Sequence, residues 1–286
     1  IPLLSSYACA IPGIMATRSI QDPRDRLATI MVAPLTTCSA RLPVYTLLIG
    51  AFIPETEVAG LFNLQGLVLF ALYLFGIVSV FAVAWVMKML SLRKSEHALL
   101  LELPAYRMPN LRNLLIGLWD RMRIFLHRVG GIILSLTMLL WFLSSFPSPP
   151  EGFTGPAIDY SFAGRIGHAL APLFAPIGFN WQIVLALIPG MAAREVAVSG
   201  LATVYAVSSD AAGINQLGSI LAAQWSLATA LSVLTWYVFA PQCISTIATI
   251  KRETNSWKYT GYAVIYLFGL AYLFAFLVYR TASALA

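Results

Sequence analysis

The chain has 286 residues, of which 59% are hydrophobic and only 10% are charged, and its formal net charge is +6. Soluble domains carry about 25% charged residues, so the composition excludes an ordinary soluble protein and favours a polytopic membrane protein. The ten-residue alternation of a membrane barrel does not occur, so we expect the spans to be α-helices. Basic residues beside membrane spans account for the positive charge, and we expect no nucleic-acid partner.

An apolar segment of residues 1–16, interrupted by Pro12 and Gly13, opens the sequence. It starts at Ile1 with neither a methionine nor a signal-peptide pattern, so we expect the sequence to be a fragment whose earlier part is missing. Basic residues at 18–26 follow, and their excess places them on the cytoplasmic side of the membrane.

Five apolar stretches reach or nearly reach the length of about 20 helical residues that a bilayer requires. They are residues 27–52, 63–92, 129–146, 221–250 and 259–279. Residues 93–109 have the proline pattern of an extended linker, and residues 111–128 mix apolar side chains with arginines, which predicts an amphipathic helix on the cytoplasmic membrane surface. We also expect an acidic loop after residue 53, a short interfacial helix at 162–174 and a polar loop at 208–219.

Residues 181–207 are apolar but carry Pro189 and Gly190 at their centre. If this stretch crossed the membrane, the basic residues at 251–258 would lie outside, against the positive-inside bias. We therefore predict a re-entrant hairpin that breaks at Pro189 and Gly190 and returns to the side from which it entered. Breaks of this kind mark binding sites in transporters.

The most unusual span is residues 27–52, because its middle carries two prolines, a cysteine, an arginine and several hydroxyls. Proline lacks an amide donor, so Pro34 and Pro43 are predicted to release backbone carbonyls, including that of Ser39. Irregular backbone at membrane depth is tolerated where it is buried in protein or lines a watery cavity. This stretch therefore predicts a functional site within the membrane.

The same order of features, a broken apolar segment followed by a span with proline and cysteine, occurs twice in the sequence. The string Ile11-Pro-Gly-Ile-Met-Ala-Thr-Arg18 resembles Ile188-Pro-Gly-Met-Ala-Ala-Arg194, and each is followed by an Ala-Pro pair with a cysteine soon after it. Repeated halves with discontinuous helices are a transporter architecture, with the site at their interface near the membrane midplane. The predicted units are a first half at residues 1–92, a cytoplasmic linker and basic helix at 93–128, a span and outer loop at 129–180, and a second half with the final span at 181–286.

Three cysteines, Cys9, Cys38 and Cys243, each lie within five residues of a proline in an apolar segment. A buried cysteine is often only a packing residue, but thiols beside hydroxyls, carbonyls and a carboxylate suit a borderline divalent metal. The carboxylate is Glu195, an ionisable residue within a membrane segment and therefore a candidate functional residue. Arg41 is three residues from Cys38, which predicts one shared helix face and a charge that balances Glu195. The supporting candidates are Ser39, Pro43, Pro189, Gly190, Met191, Ser245 and Thr246.

At these residues the chain resembles the membrane region of the bacterial ferrous iron transport protein B (FeoB) family. The strings that carry the resemblance are Cys9-Ala-Ile-Pro-Gly-Ile-Met-Ala-Thr-Arg18, Asp22-Pro-Arg-Asp-Arg-Leu27, Cys38-Ser-Ala-Arg-Leu-Pro-Val-Tyr45, Glu102-Leu-Pro-Ala-Tyr-Arg-Met-Pro109, Met191-Ala-Ala-Arg-Glu-Val196 and Ala240-Pro-Gln-Cys-Ile-Ser-Thr246. The resemblance implies a multi-pass protein of the bacterial inner membrane with two Gate elements, which imports Fe²⁺ along a path lined by the three cysteines and Glu195. It implies a transporter and not an enzyme.

Members of this family carry a cytoplasmic G-protein domain, which binds GTP and Mg²⁺, and they act with a small accessory protein. This sequence has no P-loop pattern, so the resemblance implies a G domain upstream in the same protein or on a separate chain. A homo-oligomer is a further possibility. Two other functions stay open on the sequence alone: a Gate-type carrier of a nucleoside or another cation, and a non-conducting membrane scaffold for a GTPase.

Overall fold

The structure is a computed structural model that describes residues 2–58, 62–90, 110–147, 160–192, 196–205, 211–241 and 243–285. The helices in these residues are α1 (Pro2–Ser6), α2 (Ala10–Ala16), α3 (Pro23–Val32), α4 (Leu42–Phe52), α5 (Leu64–Leu90), α6 (Leu111–Ser145), α7 (Phe162–Phe174), α8 (Trp181–Ala192), α9 (Val196–Val204), α10 (Ala211–Gln224), α11 (Leu227–Phe239), α12 (Ile244–Thr254) and α13 (Trp257–Leu285). Two two-residue strands, β1 (Glu57–Val58) and β2 (Phe62–Asn63), pair antiparallel in the predicted acidic loop. The predicted all-α class is confirmed.

Four helical stretches of the described chain are long and apolar enough to cross a membrane. They are Pro23–Phe52, Leu64–Met89, Leu227–Thr254 and Trp257–Leu285, and they coincide with four of the predicted crossings. The pair Phe162–Ile177 and Trp181–Met191, bent by 100°, makes a fifth if it counts as one span. This pattern supports a multi-pass membrane protein.

For the segments between these spans, some predictions agree with the structure, one is wrong, and others concern residues that the structure does not describe. Helix α7 has the bounds predicted for the short helix, and the single helix α6 covers both the basic stretch 111–128 and the apolar stretch after it. The predicted polar loop at 208–219 is wrong, because α10 occupies most of it and buries Leu217 and Leu221 completely, one helical turn apart. The linker 93–109 and most of the outer loop, residues 148–159, lie outside the described residues.

Both halves contain a tightly packed helical hairpin, α1–α2 and α8–α9. A Cβ added to Gly13 would lie 1.8 Å from the Ser6 Oγ, and one added to Gly190 would lie 3.2 Å from the Ala197 Cβ. Helices α8 and α9 therefore form a hairpin within the predicted stretch 181–207, but its predicted break is wrong. Pro189 and Gly190 lie inside α8, just as Pro12 and Gly13 lie inside α2. In both places the glycine is the point at which the other helix of the hairpin passes close by.

The core is centred on α11, whose side chains are buried almost throughout and which packs on α4 and α13. Among its neighbours, Tyr45 and Leu48 of α4 are fully buried. A second cluster joins the two halves directly. Its buried members are Ile14, Ile30, Met31, Ala33, Ile250 and Ala263.

Candidate functional site: three cysteines at helix breaks

Two of the spans are interrupted at mid-length. After α3 the chain forms a short 3₁₀ turn (Ala33–Leu35), becomes extended, and forms a second 3₁₀ turn (Ser39–Arg41) before α4 begins. Pro43 stands in the first turn of α4, where its missing N–H removes no helical hydrogen bond. The predicted release of the Ser39 carbonyl is wrong, because this oxygen accepts the amide of Leu42.

All three cysteines occupy the same kind of position, an extended residue directly before a helix. The backbone φ and ψ angles are −157° and 135° at Cys9, −84° and 159° at Cys38, and −158° and 105° at Cys243. None of the three side chains caps the helix that follows it, and none forms a disulfide. The prediction that Cys38 shares a helix face with Arg41 is wrong, because Cys38 is not helical.

Hydrogen bonds join the break that holds Cys38 to the turn that holds Cys9. The Thr36 hydroxyl donates to the Ser6 carbonyl over 3.1 Å, and the Ser39 hydroxyl donates to the Ala8 carbonyl over 3.4 Å. Ala8 and Ser39 are the chain neighbours of the two cysteines. The structure therefore brings the chain neighbours of Cys9 and Cys38 into contact, and Ser39 contributes through its hydroxyl and not through a released carbonyl.

The third cysteine, Cys243, directly precedes α12, which packs beside α2. The Cys243 amide donates to the Pro241 carbonyl over 2.9 Å, so the chain turns sharply into the helix. Ser245 and Thr246 lie in the first turn of α12, where the Ser245 carbonyl accepts the Thr249 hydroxyl over 2.8 Å.

Arg41 is completely buried and bridges the first break. Its Nη1 lies 3.5 Å from the Thr37 Oγ1, and its Nη2 lies 3.4 Å from the Pro34 carbonyl oxygen. A guanidinium at this place puts a fixed positive charge beside Cys38. Tyr73 of α5 packs edge-on against Tyr45 of α4, with ring centroids 6.4 Å apart.

Sequence reasoning did not single out Tyr73 or Gly76. A Cβ added to Gly76 would lie 2.5 Å from the Thr37 Oγ1, so this glycine lets α5 approach the break. Both residues lie in a long apolar helix without a motif, and only the packing reveals them. Thr36 and Thr37, the two threonines of the break, can be recognised from the sequence, because their hydroxyl groups lie in an apolar stretch.

Glu195 lies outside the described residues, so the structure does not place it. Pro189 and Gly190 are buried in α8, and Met191 is partly buried near the end of that helix. Among the described residues, no three His, Cys, Asp or Glu side chains come close enough to hold one metal ion together. Within the described residues, the site offers thiols with hydroxyl groups close by in the chain.

A polar cluster that sequence reasoning missed closes the open end of the α8–α9 hairpin. The Trp225 indole donates to the Tyr205 hydroxyl over 2.9 Å, and that hydroxyl donates to the Gln182 Oε1 over 3.0 Å. The same oxygen accepts the Asn180 amide over 3.1 Å. These side chains form hydrogen bonds with one another, so the cluster stabilises the hairpin.

Two family models match the sequence. The model "Gate: Nucleoside recognition" matches residues 1–52 and 126–257, and the model "Ferrous iron transport protein B C terminus" matches residues 69–121. The first covers more than half of the chain and contains all three cysteines. No solved structure matches the sequence.

Several relatives carry the name Fe(2+) transporter FeoB. The protein of Leptospira interrogans serovar copenhageni is 38% identical over 98% of this chain, and that of Staphylococcus aureus strain MSSA476 is 35% identical over 98%. A "Fe(2+) transport protein A/Fe(2+) transporter FeoB fusion protein" of Porphyromonas gingivalis is 35% identical over 98%. The chain covers 42%, 40% and 37% of these relatives, respectively. The chain therefore belongs to the FeoB family of ferrous iron transport proteins and matches its C-terminal membrane region.

Proposed function

We propose that this chain is the permease part of a bacterial inner-membrane Fe²⁺ importer, in which the ion passes the level where the cysteine-bearing breaks meet. The observation that carries the proposal is the repeated position of the three thiols, each on extended backbone before a helix. Thiol ligands favour softer transition metals, and neighbouring hydroxyls suit the harder side of a borderline ion such as Fe²⁺. Loose coordination permits release of the ion, which transport requires.

The depth of the cysteines supports the same proposal. Ten residues separate Cys243 from Glu253 at the far end of α12, a helical distance of about 15 Å. Half of a bilayer's hydrocarbon core is also about 15 Å. If the basic end of α12 lies at the cytoplasmic surface, Cys243 lies near the midplane, where sites of transporters with repeated halves are found.

The wider assembly is part of the proposal. A G domain that binds GTP and Mg²⁺, in the same protein or on another chain, would act on this membrane region from the cytoplasm. The fusion in Porphyromonas gingivalis joins a protein named Fe(2+) transport protein A to its transporter, which favours a small accessory partner. The α8–α9 hairpin is the element that we expect to move during gating, and Glu195 is proposed as the charge partner of the ion.

Fe²⁺ uptake into liposomes that contain the full-length protein tests this function. Cys38→Ser keeps the size of the side chain but removes the thiol, so we expect uptake to fall, with smaller losses for Cys9→Ser and Cys243→Ser. Ser219→Ala, an exposed change on α10, is the control. Unchanged uptake in all three cysteine variants, at normal expression, would contradict the proposal.

A nucleoside carrier is the second candidate, because of the description of the Gate model and the polar cluster around Gln182. The Gln182 Oε1 already accepts two hydrogen bonds, which argues against a ribose at this place. Competition of Fe²⁺ uptake by nucleosides would favour this candidate.

A further inference from the structure

One carboxylate, that of Glu253, ties the two halves together at their basic end. It is 2% exposed and accepts two hydrogen bonds from Arg18, from Nε over 2.8 Å and from Nη2 over 2.7 Å. Arg26 adds a bond from Nη2 over 3.2 Å, and Arg252 approaches to 3.7 Å. A carboxylate held by a bidentate guanidinium has a fixed orientation as well as a favourable energy.

The ion pair stands at equivalent ends of two neighbouring helices. Arg18 follows α2 within a short 3₁₀ turn, and Glu253 lies at the end of α12. Because α2 and α12 pack side by side and their last turns meet at this pair, the two helices run in the same direction. Ile14 and Ile250, halfway along, belong to the same buried cluster.

The opposite ends of the same two helices carry cysteines. Cys9 precedes α2 and lies nine residues before Arg18, while Cys243 precedes α12 and lies ten residues before Glu253. At about 1.5 Å per helical residue these separations differ by only about one residue's rise. The ion pair between Arg18 and Glu253 therefore holds Cys9 and Cys243 at about the same height along the two parallel helices.

We propose that Glu253 is a positioning residue whose ion pair with Arg18 sets the register of α2 against α12 and so holds Cys9 and Cys243 at one depth. The ion pair is remote from the thiols and acts on them only through the two rigid helices. Arg26, at the start of α3, ties the third cysteine-bearing segment to the same carboxylate. A role of this register in the passage of Fe²⁺ rests on the proposed function. The alignment of α2 against α12 does not depend on that function.

Cross-linking of the two thiols measures the register directly. In the full-length protein, Cys38→Ser and replacement of any cysteine outside these 286 residues leave Cys9 and Cys243 as the reactive pair. A bismaleimide that spans the usual helix spacing of about 8–10 Å joins them when they are level. We expect Glu253→Gln and Arg18→Gln each to lower the yield several-fold, and the double variant to lower it no further, because both changes break the same contact.

Arg252→Gln is the matched control, since this arginine contacts the same carboxylate but belongs to α12 itself and cannot hold α2. It should leave the yield unchanged. If Glu253→Gln does not give monodisperse protein, Arg18→Lys keeps the charge but loses the two-point contact, and an intermediate yield is expected. An unchanged yield in Arg18→Gln, or an equal loss in Arg252→Gln, would overturn the proposal. Fe²⁺ uptake is recorded separately, so that a failure of the transport proposal is distinguishable from a failure of the register.

Discussion

The Tyr266 hydroxyl stabilises the place at which α3 stops. It donates to the carbonyl of Met31, a residue of the last turn of α3 that is 4% exposed. The last carbonyls of a helix have no partner within it, so when they are buried they need a donor from outside the helix. Helix α13 supplies that donor.

Tyr266→Phe removes the hydroxyl and leaves the ring, so the packing of α13 is preserved. An orphaned buried carbonyl costs about 1–3 kcal/mol in soluble proteins, while hydrogen bonds between membrane helices average about 0.6 and reach about 1.7 kcal/mol. We expect a loss of about 1–2 kcal/mol in the free energy of unfolding, at the upper end of the membrane range, because the lost donor leaves a helix end without a partner. At about 2–4 °C per kcal/mol for a chain approaching this size, the Tm should fall by about 2–8 °C.

Thermal unfolding in detergent, followed by circular dichroism, measures this effect. Tyr262→Phe is the matched control on the same helix, because its ring is 53% exposed and lies beneath Lys258, a contact that phenylalanine retains. A Tm for Tyr266→Phe equal to that of Tyr262→Phe would refute the reasoning that the break of α3 depends on this hydroxyl.

Two further substitutions test the packing around the site. Ser232→Ala removes a fully buried hydroxyl that donates to two backbone carbonyls over 2.8 and 3.2 Å, and we expect it to lower the free energy of unfolding by about 1–2 kcal/mol, measured in the same thermal assay. The prediction fails if its Tm equals that of the wild type. Gly190→Val fills the contact between α8 and α9, where even a single added Cβ is crowded at 3.2 Å, and should cost about 1–3 kcal/mol. Gly261→Val is its control, because nothing lies within 4 Å of an added Cβ there, and equal losses in the two variants would contradict the crowding argument.

The sequence permitted a correct prediction of the long helices and of the place of the unusual span. Apolar runs of membrane length identify α5 and α13 without any tertiary information. A thiol and an arginine in an apolar run identify the break at Cys38, because such groups are costly in lipid. These inferences depend only on local composition.

The structural role of the Pro-Gly pairs was not predictable in this way. A proline followed by glycine is compatible with a broken helix and also with a helix that is crossed closely by another one. The contacts of Gly13 with α1 and of Gly190 with α9 decide for the second possibility, and both contacts come from the tertiary fold. The same limit applies to Glu253, whose partner Arg18 is 235 residues away in the chain.

That separation determines when the first half can be completed during synthesis. The carboxylate that holds Arg18 and the hydroxyl that holds the Met31 carbonyl both arrive 235 residues after their partners. Until α12 and α13 enter the membrane, α2 and α3 lack the side chains that fill their cluster from the second half, such as Ile250 and Ala263. Contacts of such long range form late and leave the early helices exposed to wrong partners. We therefore expect the contacts of α12 and α13 with α2 and α3 to form later than the local contacts of the first half.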